Sequence, residues 1–235
     1  MVRNGAIQVL NGNHLKLIAA FAMLLDHAGM LLFPQSLLLR IVGRLAYPIF
    51  AYMIAEGCRY TRSRLRHFLM IFGLGTACQI VCYFLSGDTY FSILITFSLS
   101  ILLIYCLQKA RKAWTEKKAV LPAIGFLAAV AGVWVLNRYV NIDYGFWGIM
   151  APVLVSLFPE KGKTGRILPV LMMAVCLVCL GITFGGVQWY ALLCLPLLLL
   201  YSGKRGKYPM KYFFYLFYPA HLVILQGLSW LMAQS

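Results

Sequence analysis

HLKLIAAFAMLLDHAGMLLFP, residues 14–34, is an apolar run with an adjacent Asp and His set past its middle. An α-helix needs about 20 apolar residues to cross the hydrocarbon of a bilayer, and this stretch has that length. It continues past Asp26 with no small-residue cleavage site, so it reads as a signal anchor that stays in the protein. Runs of similar character recur at 37–57, 67–87, 90–108, 119–137, 145–159, 167–185, 188–202 and 212–233. The expected fold is therefore all-α, a polytopic transmembrane helix bundle of about nine spans forming one integral membrane domain over residues 1–235. The sixth run is short, and the eighth follows a tight turn at Gly185 and Gly186. Either could be tilted or re-entrant, so eight to ten spans are allowed.

Composition agrees with the pattern. Hydrophobic residues make up 62% of the chain, charged residues only 11%, and the mean hydropathy is +0.82. A soluble domain carries about 25% charge, and one of this size could not hide so much apolar surface. With six acidic residues in all, an acidic disordered chain is excluded as well.

The formal charge of +15 would suggest nucleic acid, but its distribution points to topology instead. Arg59, Arg62, Arg64 and Arg66 lie between runs two and three. Lys109, Arg111, Lys112, Lys117 and Lys118 lie between four and five; Lys161, Lys163 and Arg166 between six and seven; Lys204, Arg205, Lys207 and Lys211 between eight and nine. The intervening loops hold only Asp88, Arg138 and Asp143. Basic loops stay in the cytoplasm, which puts the N-terminus inside and the C-terminus outside a cytoplasmic (inner) membrane. No nucleic-acid partner is expected, and the bilayer is the bulk partner. Six of the seven cysteines lie well inside apolar stretches, and the Cys176-x-x-Cys179 pair has no His or acidic neighbour in its run, so they read as small buried hydrophobes; no metal site is expected.

Ionisable residues inside the spans are few and costly, each about 2.5–3.5 kcal/mol at bilayer depth on insertion scales, and they tend to mark sites or pathways. They are Asp26 and His27 in the first run, Arg40, Arg44 and Glu56 in the second, and His221 in the last. A rise of 1.5 Å per residue sets His27 and Arg44 roughly 20 Å from the cytoplasmic ends of their helices and His221 roughly 14 Å. Arg40 and Arg44 share a helix face by their i, i+4 spacing. Asp26 and His27 diverge by about 100°, so Asp26 is expected to pair with Arg44 or Arg40 while His27 faces a chamber. One carboxylate cannot neutralise two arginines, which leaves room for an anionic ligand. The alternative is that the pairs only lock the helices together. His14 and His67, at cytoplasmic boundaries, read as solvated, and Gly181-x-x-x-Gly185 reads as a helix-packing contact.

Three stretches carry a family resemblance: LKLIAAFAMLLDHAG at 15–29, LRIVGRLAYPIFAYMIAEG at 39–57, and KYFFYLFYPAHL at 211–222. In this order they resemble the TraX family, whose namesake is the F-pilin acetylase of conjugative plasmids. The resemblance implies an integral membrane acetyltransferase drawing on cytosolic acetyl-CoA. By motif matching, the family's D-H pair falls on Asp26 and His27, its R-x-x-x-R on Arg40 and Arg44, its acidic residue on Glu56, and its Y-P-x-H-L on Tyr218 to Leu222. Expected roles are His27 as general base or acyl carrier, Arg44 or Arg40 at the oxyanion, Asp26 holding an arginine, and His221 as proton relay. Arg40, Arg44, Glu56, Tyr218 and Arg59 are the expected contacts of the donor. The acceptor, a pilin-like protein, a glycan or a small metabolite, is not implied. A transporter or flippase for an anionic or lipid-linked substrate is the rival expectation, since buried Arg and Asp also suit an anion pathway.

Overall fold

The structure is a computed structural model that describes residues 9–86, 91–116, 120–158, 164–208 and 210–234. Asp88, Lys117, Lys118, Lys161 and Lys163 of the expected loops lie outside the described residues, as does the side chain of Lys211. The elements are α1 (Gly12–Leu31), α2 (Leu37–Gly43), α3 (Ala46–Tyr60), α4 (Arg64–Ser86), α5 (Ile93–Thr115), α6 (Val120–Tyr139), α7 (Gly145–Ser156), α8 (Thr164–Phe184), a 3₁₀ helix (Gly186–Cys194), α9 (Leu195–Leu199) and α10 (Lys211–Gln234). No strand occurs among the described residues; two isolated bridges, Leu10 with Tyr201 and Phe91 with Ile142, are the only extended pairings.

Among the described residues seven segments are long and apolar enough to cross a membrane, with α2 and α3 counted as one. The two shorter apolar segments are α7 and the 3₁₀ helix with α9, which are the sixth and eighth runs of the sequence. The protein is an all-α, multi-pass membrane protein. Large apolar side chains face outward along the helices, among them Phe84, Leu121, Ile182 and Leu216, and only a lipid environment accommodates them. α6 is the extreme case, with Val133 its one buried residue among those described.

The chain divides into two compact units, Met1–Met53 with Glu160–Ser235, and Ile54–Pro159, the boundary falling within α3. In the first unit α1, the start of α3, α8 and the 3₁₀ helix bury Leu15, Ala19, Ile49, Met173, Leu177, Leu180 and Ala191. In the second, α5 and α7 bury Ile101, Leu103, Ile104, Ile149, Val153 and Val155.

The second run does not form one continuous helix. Pro48 has no N–H to offer the carbonyl of Arg44, and its ring crowds that carbonyl, an arrangement met most easily in a first helical turn. The chain therefore stops α2 at Gly43 and restarts at Ala46, leaving Arg44 at the break. In the second unit α7 runs parallel to α5. Thr96 Oγ1 donates to Asp143 O (2.8 Å), Ser100 Oγ to Ile149 O (2.8 Å), and Arg111 Nη1 to Ser156 O (3.3 Å). From Thr96 to Arg111 α5 rises about 22 Å, so the short sixth segment follows it through that depth.

Candidate functional site

α1 and α2 meet closely because each carries a glycine opposite the other's polar side chain. A Cβ on Gly29 would stand 2.8 Å from Leu39 Cβ and 3.4 Å from Arg40 Cδ, and one on Gly43 would overlap the side chain of Asp26. Through this contact Asp26 reaches both arginines. Arg44 Nη2 donates to Asp26 Oδ2. Arg40 Nη1 sits 3.0 Å from Asp26 Oδ1 and donates to the Asp26 carbonyl at 3.2 Å. No directed hydrogen bond reaches Oδ1, so the hold of Arg40 on that oxygen is coulombic. Side-chain exposure is 12% for Arg44, 15% for Asp26 and 26% for Arg40. One carboxylate against two guanidiniums leaves the trio with an excess positive charge where solvent screens it poorly.

His27, one residue on, turns to α10. Its Nδ1 lies 3.0 Å from His221 Nε2. His221 Nδ1 lies 2.8 Å from the carbonyl of Phe217, an oxygen that can only accept, so in the neutral pair Nδ1 of His221 carries the proton. Nε2 of His221 is then an acceptor, and His27 Nδ1 donates to it. The lone pair of this chain is left on His27 Nε2. Phe217 stacks on the His221 ring (centroids 4.8 Å, 10°) and Tyr218 packs edge-on to it at 5.7 Å, which fixes the ring that orients His27. His221 itself is 3% exposed.

A further member comes from the 3₁₀ helix. Gln188 is 5% exposed, and its Oε1 accepts from Arg44 Nη1 at 3.4 Å. Sequence reasoning passed over this residue because attention went to ionisable groups. In the structure Gln188, Ala191 and Cys194 are the buried residues of that segment. They recur every three positions among bulky neighbours, the period of a 3₁₀ helix.

The structure thus brings Asp26, His27, Arg40, Arg44, His221 and Tyr218 together on α1, α2, its C-terminal break and α10. Glu56 and Arg59 belong to the second unit and serve each other. Arg59 Nη1 donates to Glu56 Oε1 (2.8 Å) and its Nη2 to the carbonyls of Val155 (3.0 Å) and Phe158 (2.6 Å). With Arg111, which donates to Ser156 and Leu157, this caps the carbonyl end of α7, where unpaired acceptors and the helix dipole favour cations. His67 is not a solvated boundary residue: its Nδ1 bonds Tyr105 Oη at 2.8 Å, because the start of α4 packs on α5. Of the Gly181/Gly185 pair only Gly181 packs, with a Cβ there standing 2.6 Å from the Trp189 ring; Gly185 (φ +63) makes the turn out of α8. Among the described residues no group of three or more His, Cys, Asp and Glu converges as a metal site would.

At the N-terminal end of α1, Tyr52, Arg166, Leu198, Tyr201 and Ser202 line a cleft of about 220 Å³. The turn beside it is pinned to α1 by Gly12 N–H donating to Lys204 O (2.9 Å), and exposes Lys204, Arg205 and Lys207.

The chain is 25% identical over 237 residues to a probable fimbrial assembly protein, FimC of serogroup H1, from Dichelobacter nodosus, covering 90% of this chain and 92% of that one. A segment of 38 residues is 45% identical to an uncharacterised protein of Rickettsia prowazekii (strain Madrid E), covering 16% and 15% of the two chains. No solved structure matches. The profile of the TraX protein matches residues 11–229, a span that holds every residue of the cluster, and the chain belongs to the TraX family.

Proposed function

We propose that the protein is a membrane-bound acyltransferase that moves an acetyl group from cytosolic acetyl-CoA to an amine or hydroxyl acceptor, in the processing of a pilin or a comparable surface component. The observation that carries this reading is the hydrogen-bonded His27–His221 pair beside a trio with surplus positive charge. The acceptor attacks the thioester carbonyl carbon while His27 Nε2 takes its proton. The carbonyl oxygen becomes an oxyanion, which the Arg44 and Arg40 charge stabilises. The C–S bond then breaks, and the proton on His27 passes to the departing thiolate. An acetyl-histidine formed first on His27 is a two-step variant of the same exchange. His221 fixes the His27 tautomer, Asp26 fixes the arginines, and Tyr218 supports the His221 ring. The fimbrial assembly relative supports a pilin-like acceptor.

The donor's phosphates suit the Arg166 cleft because its lip exposes Lys204, Arg205 and Lys207, while Arg59 serves as a helix cap. From Gly12, beside that cleft, to His27 α1 rises about 22 Å, a span suited to a thin pantetheine arm. On the positive-inside rule the basic loops support a cytoplasmic cleft, with the N-terminus inside and the C-terminus outside.

The test is transfer or hydrolysis of label from radiolabelled acetyl-CoA by purified protein in detergent. His27→Ala is expected to abolish it with the fold retained; full activity in that variant removes His27 from the mechanism. The helix break at Arg44 also suits a transporter. Substrate movement in vesicles free of acetyl-CoA would decide for that reading.

A further inference from the structure

We infer that the Gln188 carboxamide is the hydrogen-bond donor that receives the acyl carbonyl oxygen of the substrate, an assignment that rests on the acyltransferase reading above. The side chain is nearly fully buried, at 5% exposure. Arg44 Nη1 can only donate, so the atom of Gln188 facing it at 3.4 Å must be the oxygen; the reverse orientation would set donor against donor. This fixes the amide nitrogen on the other side. There Nε2 is buried and has no hydrogen-bond partner among the described residues. Buried amide donors without an acceptor are rare in folded proteins and point to a ligand.

The chemistry of that ligand follows from the surroundings. The Asp26, Arg40 and Arg44 trio carries one positive charge more than its carboxylate neutralises, so the acceptor is an oxygen that bears or gains negative charge. A thioester carbonyl does so as the tetrahedral intermediate forms. Gln188 also has the rigidity such a donor needs. It lies on a 3₁₀ helix whose every third residue is buried, and Trp189 is seated against Gly181. A donor that does not reorganise stabilises developing charge better than water. By contrast, an arginine held by Asp26 has its geometry set by that carboxylate, and the neutral amide supplies the directed bond.

The experiment uses the full chain in detergent with three readouts: acetyl-CoA turnover, equilibrium binding of acetyl-CoA and of free CoA, and thermal midpoint. Gln188→Glu keeps an oxygen on Arg44 and removes the N–H donor; Gln188→Met removes both and serves as the second variant. We expect kcat to fall about 100-fold, the scale for loss of one oxyanion donor, with CoA affinity unchanged because CoA lacks the thioester carbonyl. Turnover within about threefold of wild type in either folded variant overturns the assignment, as does an equal loss of CoA and acetyl-CoA affinity, which marks a packing role. A wild-type protein that neither binds nor turns over acetyl-CoA overturns the acyltransferase reading itself. An active wild type with an active Gln188→Glu overturns the Gln188 assignment alone.

Discussion

Asp26 is the residue on which the site's geometry turns, since its single carboxylate holds Arg40 and Arg44 together across two helices. Removing one partner of a buried ion pair leaves charge uncompensated and costs about 3–5 kcal/mol. Asp26→Ala strands two guanidiniums and is expected to lower stability by that order, read as a reduced unfolding midpoint in detergent. Arg40→Leu, at the more exposed position, should cost less. Equal midpoints for wild type and Asp26→Ala would show that the trio does not hold the helices. The sequence exposed this trio because a charge in an apolar run is conspicuous and the i, i+4 spacing of the arginines is local. It assigned Asp26 to one arginine, whereas the structure gives it both. The difference comes from Gly29 and Gly43, whose missing side chains let α1 and α2 close until one carboxylate spans two donors. The His27–His221 bond was beyond sequence reach in its detail, for it joins residues 194 positions apart and depends on the rotation of α10.

Among the elements, the 3₁₀ helix carries the least expected structure. Such runs seldom exceed three or four residues, yet this one has nine. Its seat is Gly181 of α8, which leaves space for the Trp189 ring. Gly181→Val is expected to push that ring away, cost about 1–3 kcal/mol as overpacking does, and lower turnover by displacing Gln188. Trp189→Ala should cost stability and some turnover by loosening Gln188, but combined with Gly181→Val it should recover part of the loss, giving a favourable coupling in a double-mutant cycle. Additive effects would mean that the two residues do not share a contact. The tight turn at Gly185 and Gly186 had singled out this stretch as one that could be tilted or re-entrant. What that reading could not supply was the tighter winding, which depends on Gly185 and Gly186 turning the chain with positive φ. The second run was likewise legible as apolar, while its break required weighing Pro48 against the Arg44 carbonyl.

For the whole molecule, the distribution of Lys and Arg makes a statement that the two short segments put to the test. Nine residues of 3₁₀ helix at about 2 Å rise, followed by the five of α9, cover about 25 Å, close to a hydrocarbon core of about 30 Å. If that segment crosses, Lys207 lies on the same face of the membrane as Lys112; if it re-enters, the two face opposite sides. Positive-inside bias requires the first arrangement, because the second would leave a basic loop outside. In a cysteine-free background, Asn141→Cys should react with an impermeant maleimide added to intact cells. Lys112→Cys and Lys207→Cys should react only after the membrane is opened. Labelling of Lys207→Cys from outside would contradict the topology, because the cleft sets Arg166 at the start of α8 beside Tyr201 and Ser202 after the eighth segment, and would put that cleft out of reach of cytosolic acetyl-CoA. Arg166→Glu supplies the functional side of the same argument. On the proposed topology it should raise the KM for acetyl-CoA about tenfold or more, as expected when a charged hydrogen bond worth about 1.5–3 kcal/mol is lost. Its kcat should stay near wild type, since the cleft lies beside Gly12, about 22 Å along α1 from His27.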